Sequence, residues 1–312
     1  MLIAILGPTA SGKSALALHL AKELDGEILA CDSTQLYRGF DIGTGKPTRA
    51  ERASVPHHLL DVLDPAEEST AGGYRELALN VLGDLRERTK LPVLTVGTGL
   101  YLRALLEGLA DLPQRSEELR ARLRRSTVKH GQEHLHKLLT RLDPASAERI
   151  APADVQKLIR AVEVCLLARR PLTEVHEEGR TPLQGWHILK IGLEPPRAEL
   201  YERIRQRIDT MLAAGWQDEV AHLLSSSNHL TESKPFDFLG YRELAAVQRH
   251  ELTLDAARAA IQQATRHYAK RQQTWFRREK NVLWFSTFGD NPETQHQILR
   301  IVQEAKSQAA PK

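Results

Sequence analysis

Cysteine is scarce in this sequence, with two residues among 312. Cys31 and Cys165 lie far apart, and neither belongs to a CxxC pair. This usage argues against a disulfide framework and against a cysteine-based zinc site, and it fits a reducing compartment. We therefore expect a cytoplasmic protein.

Long hydrophobic runs are also missing, since no stretch approaches the roughly 18 apolar residues that a membrane-spanning helix requires. The amino-terminal text "MLIAILGPTASGK" places glycine, proline and lysine where the apolar segment of a signal peptide would have to continue. The sequence thus predicts neither export nor membrane insertion. The net charge of +3 is small, so any contact with nucleic acid must come from local clusters of basic residues.

Short β-type runs alternate with longer helical patterns along much of the chain. This alternation predicts an α/β fold with a parallel sheet flanked by helices, of the type found in P-loop NTPases. The predicted strands are Leu2 to Leu6, Glu27 to Cys31, Pro92 to Val96, His187 to Leu193 and Val282 to Phe285.

The strand pattern stops between Pro113 and Gly185. There the sequence becomes amphipathic and arginine-rich, as in "EELRARLRRSTVKH" and "DVQKLIRAVEVCLLARRP". Proline and glycine mark both ends of this part of the chain. We predict a helical insertion at residues 113–185, within a core formed by residues 1–112 and 186–312.

The stretch "GPTASGKS" follows the first predicted strand and has the spacing G-x-x-x-x-G-K-[ST]. In a strand–turn–helix context, the backbone N–H groups of such a loop and the helix dipole bind phosphate, and the serine hydroxyl can hold Mg²⁺. We expect Ser14 to be that magnesium ligand. The predicted phosphate-binding residues are Gly7, Pro8, Thr9, Ala10, Ser11, Gly12, Lys13 and Ser14.

The acidic residue that a nucleotide hydrolase usually has at the end of a second buried strand is absent here. The run "LPVLTV" ends in "GTGLY" without a carboxylate, whereas Asp32 follows "EILAC". A residue at this end of a parallel strand lies on the ligand-binding side of the sheet. Taken alone, Asp32 is a metal-shell residue, a general base or a helix cap.

Six motifs, in order, resemble those of the tRNA dimethylallyltransferase family, also called tRNA isopentenyltransferases, in its shorter bacterial form. They extend over nearly the whole chain: "GPTASGKS", "DSTQLYRGFDIGTGKP", "VPHHLLD", "GTGLYLRALLEGL", "LGYREL" and "ATRHYAKRQQTWFRR". The resemblance implies transfer of a dimethylallyl group from dimethylallyl diphosphate to N6 of the adenosine 3′ of the anticodon (position 37), in tRNAs that read codons beginning with U. Diphosphate is then the leaving group, and ATP is not the fuel.

By the same resemblance, Asp32 is the general base and Lys13 stabilises the departing diphosphate. Thr9 and Thr98 contact the diphosphate or the base, and Arg207 clamps the diphosphate. From helix pattern alone, Arg207 is equally an exposed charge on an arginine-rich helix.

The resemblance further implies contacts with the anticodon stem-loop. Gln35 can offer both a donor and an acceptor to an adenine edge, although a surface glutamine in a turn has the same chemistry. The tRNA-contacting residues carried over are Asp32, Ser33, Thr34, Gln35, Thr98, Arg120, Gln156, Lys157, Leu158, Ile159, Arg160, Asp237, Phe238, Leu239, Gly240, Tyr241 and Arg242.

The sequence departs from the usual family text in "VGTGLY", "GTGKP" and "LGYRE". The first two exchange small residues, which concerns local backbone detail more than activity. His57 and His58 match the family's histidine pair, for which we expect a scaffolding role.

A basic helix near the carboxyl terminus gives independent support for RNA binding. Residues 266–280 contain six lysines or arginines and one acid. Arg258, Gln262, Arg266 and Lys270 recur at four-residue spacing, which makes a stripe that is either an RNA contact or a solvated helix face.

Other functions remain open from the sequence alone. An adenylate isopentenyltransferase of the cytokinin-forming type would share the motifs but would need neither the insertion nor the basic helix. A P-loop kinase of a small metabolite would use residues 113–185 as an arginine-bearing lid. A protein that only binds RNA would leave Asp32 and Thr98 unexplained. We take a monomer as the default assembly.

Overall fold

A computed structural model describes residues 1–110, 112–177, 179–226 and 233–309. Six strands form one sheet, and all of its neighbouring pairs are parallel, in the order β3-β2-β4-β1-β5-β6. The α/β fold predicted from the sequence is confirmed. The strands are β1 (Leu2–Leu6), β2 (Gly26–Cys31), β3 (His57–His58), β4 (Leu91–Val96), β5 (Ile188–Leu193) and β6 (Val282–Phe285).

The chain divides into two compact units. The first consists of residues 1–105 and 184–312, and the second of residues 106–183. The second unit begins seven residues before the predicted start of the insertion at 113 and ends two residues before its predicted end at 185. The helices of the first unit are α1 (Lys13–Glu23), α2 (Arg49–Ser54), α3 (Ala71–Glu87), α4 (Gly99–Glu107, which ends two residues past the division), α10 (Arg197–Ala213), α11 (Trp216–Ser226), α12 (Tyr241–Gln248), α13 (Leu254–Phe276) and α14 (Pro292–Ala309), with a short 3-10 helix at Lys234–Asp237.

The sheet is covered by helices because its central strand has no polar face. All five residues of β1 are fully buried. Ile3 and Ile5 belong to a cluster with Leu16 and Leu20 of α1 and Ile298 of α14. Continuous burial of this kind is typical of parallel strands with helices on both faces.

The second unit has its own apolar core. Leu123, Leu135, Leu139, Leu158 and Val162 pack together from three helices of this unit. Within its described residues it contains helices and no strand, as the sequence predicts. Its helices are α5 (Glu117–His130), α6 (Gln132–Leu142), α7 (Pro144–Arg149), α8 (Val155–Ala168) and α9 (Leu172–Glu177).

An ion-pair network around the buried carboxylate of Glu27 lies at the amino end of β2, opposite the phosphate-binding end. The Glu27 carboxylate accepts hydrogen bonds from both terminal nitrogens of Arg88, at 2.5 and 3.0 Å, and from His58 Nε2 at 2.6 Å. His58 and His57 form β3, the two-residue strand that pairs with β2. The histidine pair therefore supports the edge of the sheet.

Replacing Glu27 with glutamine should lower the free energy of unfolding by about 1–2 kcal/mol, because the buried carboxylate loses its charged hydrogen bonds to Arg88, which is itself exposed and keeps Asp84 as a partner. The Arg88 hydrogen bonds lower the pKa of Glu27 to about 2. The carboxylate thus stabilises the fold above its ordinary pKa, and this contribution is lost as the pH falls towards 2. Urea unfolding as a function of pH measures both effects. Exposed Glu23 supplies the control, and equal effects of Glu23→Gln and Glu27→Gln would contradict the network's role.

Candidate active site

The loop at residues 7–14, here called the phosphate loop, joins β1 to α1 as the motif predicts. Gly12 precedes the helix at φ +86° with no side-chain cap, so the first N–H groups of α1 point into the loop. A Cβ atom at Gly12 would lie 2.7 Å from the Gly289 nitrogen, and only glycine combines this φ with this approach. The helix terminus is therefore free to bind an anion.

Lys13 lies folded back onto the phosphate loop. Its Nζ donates hydrogen bonds to the carbonyl oxygens of Gly7 at 2.9 Å and Pro8 at 2.8 Å. Burial lowers the pKa of Lys13 to about 7, the nearby Arg207 adds to this effect, and Asp32 opposes it. A bound ligand with negative charge would therefore stabilise the protonated, ammonium form of Lys13.

Arg207 projects from α10 into the same space as Lys13. A Cβ atom at Gly45 would overlap its Nη2, which places the guanidinium against the turn at residues 43–45. Burial lowers the pKa of Arg207, and Asp32 acts in the opposite direction. Guanidinium groups remain charged in proteins, so a second cation faces the phosphate loop. Two close cations with one carboxylate nearby can bind a ligand that carries several negative charges.

Asp32 follows β2 and forms a turn with Thr34. Its Oδ1 accepts hydrogen bonds from the Thr34 nitrogen at 2.9 Å and the Thr34 hydroxyl at 2.8 Å. Oδ2 lies against Gly97, where a Cβ atom would overlap it. One oxygen is thus fixed by the turn, and the other remains available for chemistry.

Thr98 lies behind this turn. Its Oγ1 accepts a hydrogen bond from the Ser33 nitrogen at 3.0 Å and is 3.2 Å from the Ser33 hydroxyl. It supports the residue next to Asp32, and Thr95 of β4 is the threonine that lines the cavity. Gln35 donates its amide to the carbonyl oxygens of Thr44 and Gly45, at 3.4 and 3.2 Å.

These groups surround a cavity of about 430 Å³ in the first unit. Its polar end is formed by the phosphate loop and the turn at residues 32–35. The other wall carries Ile204, Ile208 and Met211 from α10 and Ile261 from α13. Such a cavity can hold a small ligand with one anionic end and one apolar end.

The predicted tRNA contacts at residues 237–242 are of mixed kinds. Asp237, Phe238 and Leu239 line the cavity. Arg242 forms an exposed ion pair with Asp237. Tyr241 is fully buried and donates its hydroxyl to Glu219 at 2.7 Å, so its side chain supports the fold.

The predicted contacts in the second unit include core residues. Leu158 and Ile159 are fully buried in its apolar cluster, because the hydrophobic face of α8 carries them. Arg160 donates to Glu163 at 2.7 Å and to the Pro113 carbonyl at 3.1 Å. Arg120 is buried as well, while Gln156 and Lys157 are exposed.

Several supports of the cavity were missed by sequence analysis. Glu219 of α11 accepts hydrogen bonds from the nitrogens of residues 41, 42 and 43, at 3.0, 2.7 and 3.5 Å. Trp216 is buried between Gly43 and Gly240, either of which would overlap it if a Cβ atom were added. Gly289 donates to the Ser11 carbonyl at 2.9 Å. None of these residues carries a recognisable spacing pattern; they act through tertiary contacts.

Gln272 of α13 was also missed, although it lies in a motif that carried the resemblance. Its amide contacts Thr9 and Gly97 together. The stripe prediction treated this helix as an RNA-facing element, yet Thr265, Tyr268 and Gln272 line the cavity. Arg258, one member of the stripe, is paired with Asp209 at 2.6 Å.

The donors at the cavity fit a magnesium ion. Ser14 is exposed there, and its hydroxyl is one protein oxygen that can bind the ion. Within the described residues no three His, Cys, Asp or Glu side chains gather as a metal site. Mg²⁺ commonly takes one or two protein oxygens and completes its octahedron with phosphate and water. Such an ion would depend on a bound diphosphate for its remaining ligands.

Binding of inorganic diphosphate should weaken as the pH rises above about 7, the pKa of free Lys13. The bound anion favours the ammonium form, so binding above this pH takes up a proton, and affinity falls by up to about tenfold per pH unit. Titration calorimetry measures this slope. The Lys13→Arg variant keeps its charge at every pH and corrects for ionisation of the diphosphate itself. Equal slopes for the two proteins would contradict the assignment.

A parallel sheet whose first strand leads into a phosphate loop, with two cations and one carboxylate around it, defines a P-loop protein built for chemistry on a phosphorylated substrate. Comparisons of this chain with known protein families identify the family within this class. The family model described as IPP transferase matches residues 35–279, and that described as isopentenyl transferase matches residues 1–62. The chain belongs to the tRNA dimethylallyltransferase family.

Individual relatives agree with this assignment. The tRNA dimethylallyltransferase of Koribacter versatilis is 50% identical over 302 residues, which are 97% of this chain and 98% of that protein. That of Solibacter usitatus is 47% identical and covers 94% of each chain. A crystal structure of the tRNA isopentenylpyrophosphate transferase of Bacillus halodurans is similar with a TM-score of 0.71, 35% identity and 98% coverage of each chain. No described helix is long and apolar enough to cross a bilayer.

Proposed function

We propose that this chain transfers a dimethylallyl group from dimethylallyl diphosphate to N6 of the adenosine immediately 3′ of the anticodon, in tRNAs that read codons beginning with U. The products are N6-dimethylallyladenosine and diphosphate. One observation, made in a chain of this family, carries the proposal. A single cavity brings Lys13 and Arg207 together at a position suited to bind an anion, and Asp32 lies beside it.

The phosphate loop acts on the leaving group. Breaking the allylic C–O bond places negative charge on the diphosphate oxygens. The amides at the start of α1, together with Lys13 and Arg207, stabilise this charge where it develops. When bound, Mg²⁺ would supply further neutralisation of the diphosphate, and the Ser14 hydroxyl is the protein oxygen that would hold it.

Asp32 acts on the nucleophile. The lone pair of the adenine amine is delocalised into the ring, so the amine becomes an effective nucleophile only as its proton is removed. Thr34 fixes Oδ1 by two hydrogen bonds, whereas Oδ2 lies against Gly97, which lines the same cavity, and accepts no hydrogen bond from the described residues. General-base assistance of this kind contributes about 10²- to 10⁴-fold. In this mechanism the proton moves from N6 to Oδ2 as the new C–N bond forms.

The apolar wall of the cavity suits the hydrocarbon part of the donor. Ile204, Ile208 and Met211 recur on one face of α10, where they exclude water from the allylic carbon. Water exclusion protects the allyl group from hydrolysis. The adenine enters the cavity as a base flipped out of the anticodon loop.

Exposed charges support binding of an RNA rather than of a free nucleotide. Lys157 on α8 is exposed, as are Lys270 and Arg271 on α13. Phosphate contacts from such residues give salt-dependent affinity for a tRNA arm. A cytokinin-type adenylate isopentenyltransferase needs none of them. We propose tRNA as the acceptor and a monomer acting in the cytoplasm.

The deciding experiment incubates the protein with Mg²⁺, dimethylallyl diphosphate and an unmodified tRNA with adenosine after the anticodon, followed by mass spectrometry of the nucleosides. We expect a gain of one five-carbon unit on that adenosine, and none when ATP replaces the donor. Transfer to free AMP without transfer to tRNA would identify the cytokinin-type activity. ATP consumption with neither transfer would identify a kinase.

A further inference from the structure

The Gln272 side chain links two loops that follow different strands of the sheet. It is 6% exposed. Its Oε1 accepts a hydrogen bond from the Thr9 nitrogen at 2.8 Å, and its Nε2 donates to the Gly97 carbonyl at 2.9 Å. Thr9 belongs to the phosphate loop after β1, and Gly97 follows β4. One amide therefore joins the anion-binding loop to a neighbouring strand end.

Gly97 continues this link to the proposed base. Its nitrogen donates to the Cys31 carbonyl at 3.0 Å, one residue before Asp32. The Asp32 carboxylate lies directly against Gly97, since a Cβ atom there would overlap Oδ2. A shift of the Gly97 carbonyl would therefore displace Asp32 Oδ2 and the end of β2.

A primary amide satisfies both partners of this link, because one of its ends accepts and the other donates. The Thr9 nitrogen needs an acceptor and the Gly97 carbonyl needs a donor. A glutamate in its ionised form accepts at both ends and would repel the carbonyl. A leucine of similar size offers neither and would leave both backbone groups without Gln272 as partner.

We infer that Gln272 is a positioning residue that sets the separation between the departing diphosphate and the Asp32 carboxylate. The expected effect of Gln272 on catalysis rests on the proposed function. The amide contacts the backbone at both ends and does not have to touch substrate. Its effect falls on the rate of transfer, because a displacement of about 1 Å between reacting groups costs on the order of 10²-fold in rate.

The test compares Gln272→Leu and Gln272→Glu with the unaltered protein in single-turnover transfer to tRNA. We expect Gln272→Leu to lower the rate of transfer by about 10²-fold with a change of less than about threefold in the KM for dimethylallyl diphosphate. The control is Gln263→Glu, an exposed position on the same helix, which should keep the full rate.

The pH profile of Gln272→Glu separates positioning from a purely structural role. A protonated glutamic acid can donate to the Gly97 carbonyl while it accepts from Thr9, so it restores the link. The rate of this variant, divided by that of the unaltered protein in the same buffer, should fall as the pH rises. This ratio of rates corrects for the titration of the other groups around the amide. These are Tyr268 and Arg271 from its own helix, and Lys13, Asp32 and Arg207 from the elements packed against it.

Two outcomes would overturn the inference: a full transfer rate in Gln272→Leu, or a rate ratio for Gln272→Glu that stays constant with pH. Amide hydrogen exchange at Thr9, measured without substrates, keeps this test independent of the proposed function. We expect faster exchange in Gln272→Leu and no change in Gln263→Glu. If the unaltered protein transfers nothing while this exchange increases, the proposed function fails and the link through Gln272 stands.

Discussion

Replacement of Asp32 by asparagine should lower the rate of prenyl transfer by about 10²- to 10⁴-fold and leave tRNA affinity within about threefold. Asparagine keeps an oxygen at Oδ1, which continues to accept the two hydrogen bonds from Thr34. It replaces Oδ2 with an amide nitrogen that cannot take a proton. The asparagine substitution removes the base and preserves the turn. An alanine substitution would remove the base and disturb the turn as well.

Asp25 offers a matched control at the other end of the same strand. It precedes β2, is largely exposed and pairs with Lys90 at 2.6 Å. Its φ of +54° is one that asparagine also adopts readily. Asp25→Asn should transfer at the normal rate. Single-turnover rates and filter binding of labelled tRNA measure the two quantities, and a parallel collapse of tRNA binding in Asp32→Asn would make Asp32 an RNA anchor rather than a base.

Arg207→Ala should lower kcat by about 10²- to 10³-fold, the usual effect of removing one group that stabilises developing negative charge. The guanidinium faces the phosphate loop and has no ion-pair partner among the described residues. Its loss also removes the repulsion that helps to lower the pKa of Lys13. The pH dependence of diphosphate binding should therefore move to higher pH in this variant.

Arg205 is the control for this prediction, because it lies two residues away on α10 and outside the cavity. It is exposed and pairs with Glu202 at 2.5 Å and Asp209 at 3.3 Å. Arg205→Ala should keep the normal kcat. Steady-state kinetics with varied dimethylallyl diphosphate distinguishes the two positions, and similar losses in both variants would show that Arg207 contributes only to the surface charge of the helix.

The strands could be predicted because each is a short apolar run between turn residues. All five predicted strands begin and end within one residue of the observed ones, and Leu2–Leu6 and Val282–Phe285 agree at both ends. The strand that was missed, His57–His58, has two polar residues and no alternation. It exists because Glu27 and Arg88 hold it against β2, which is a tertiary cause that a local pattern does not contain.

The site was predictable where a single segment carries the chemistry. The phosphate loop has a fixed spacing, and Asp32 follows a strand, so both could be located by sequence. Gln272, Glu219 and Trp216 act on backbone that lies far away in the chain, and their residue types do not distinguish them from surface or core neighbours. The orientation of Thr98 towards Ser33, away from the cavity, likewise depends on how two strand ends meet.

The strand order also limits when this site can form during synthesis. β1 is synthesised before the other five strands of the sheet but lies between β4 and β5, and the phosphate loop is held by Gln272 and Gly289. These partners are separated from the loop by more than 260 residues of chain. Contacts at such separation form late, because closing a long loop costs entropy before any contact is gained. A nascent chain should therefore gain a working phosphate loop only after Gln272 and Gly289 have been synthesised, and a nascent chain that ends before them should not bind the donor.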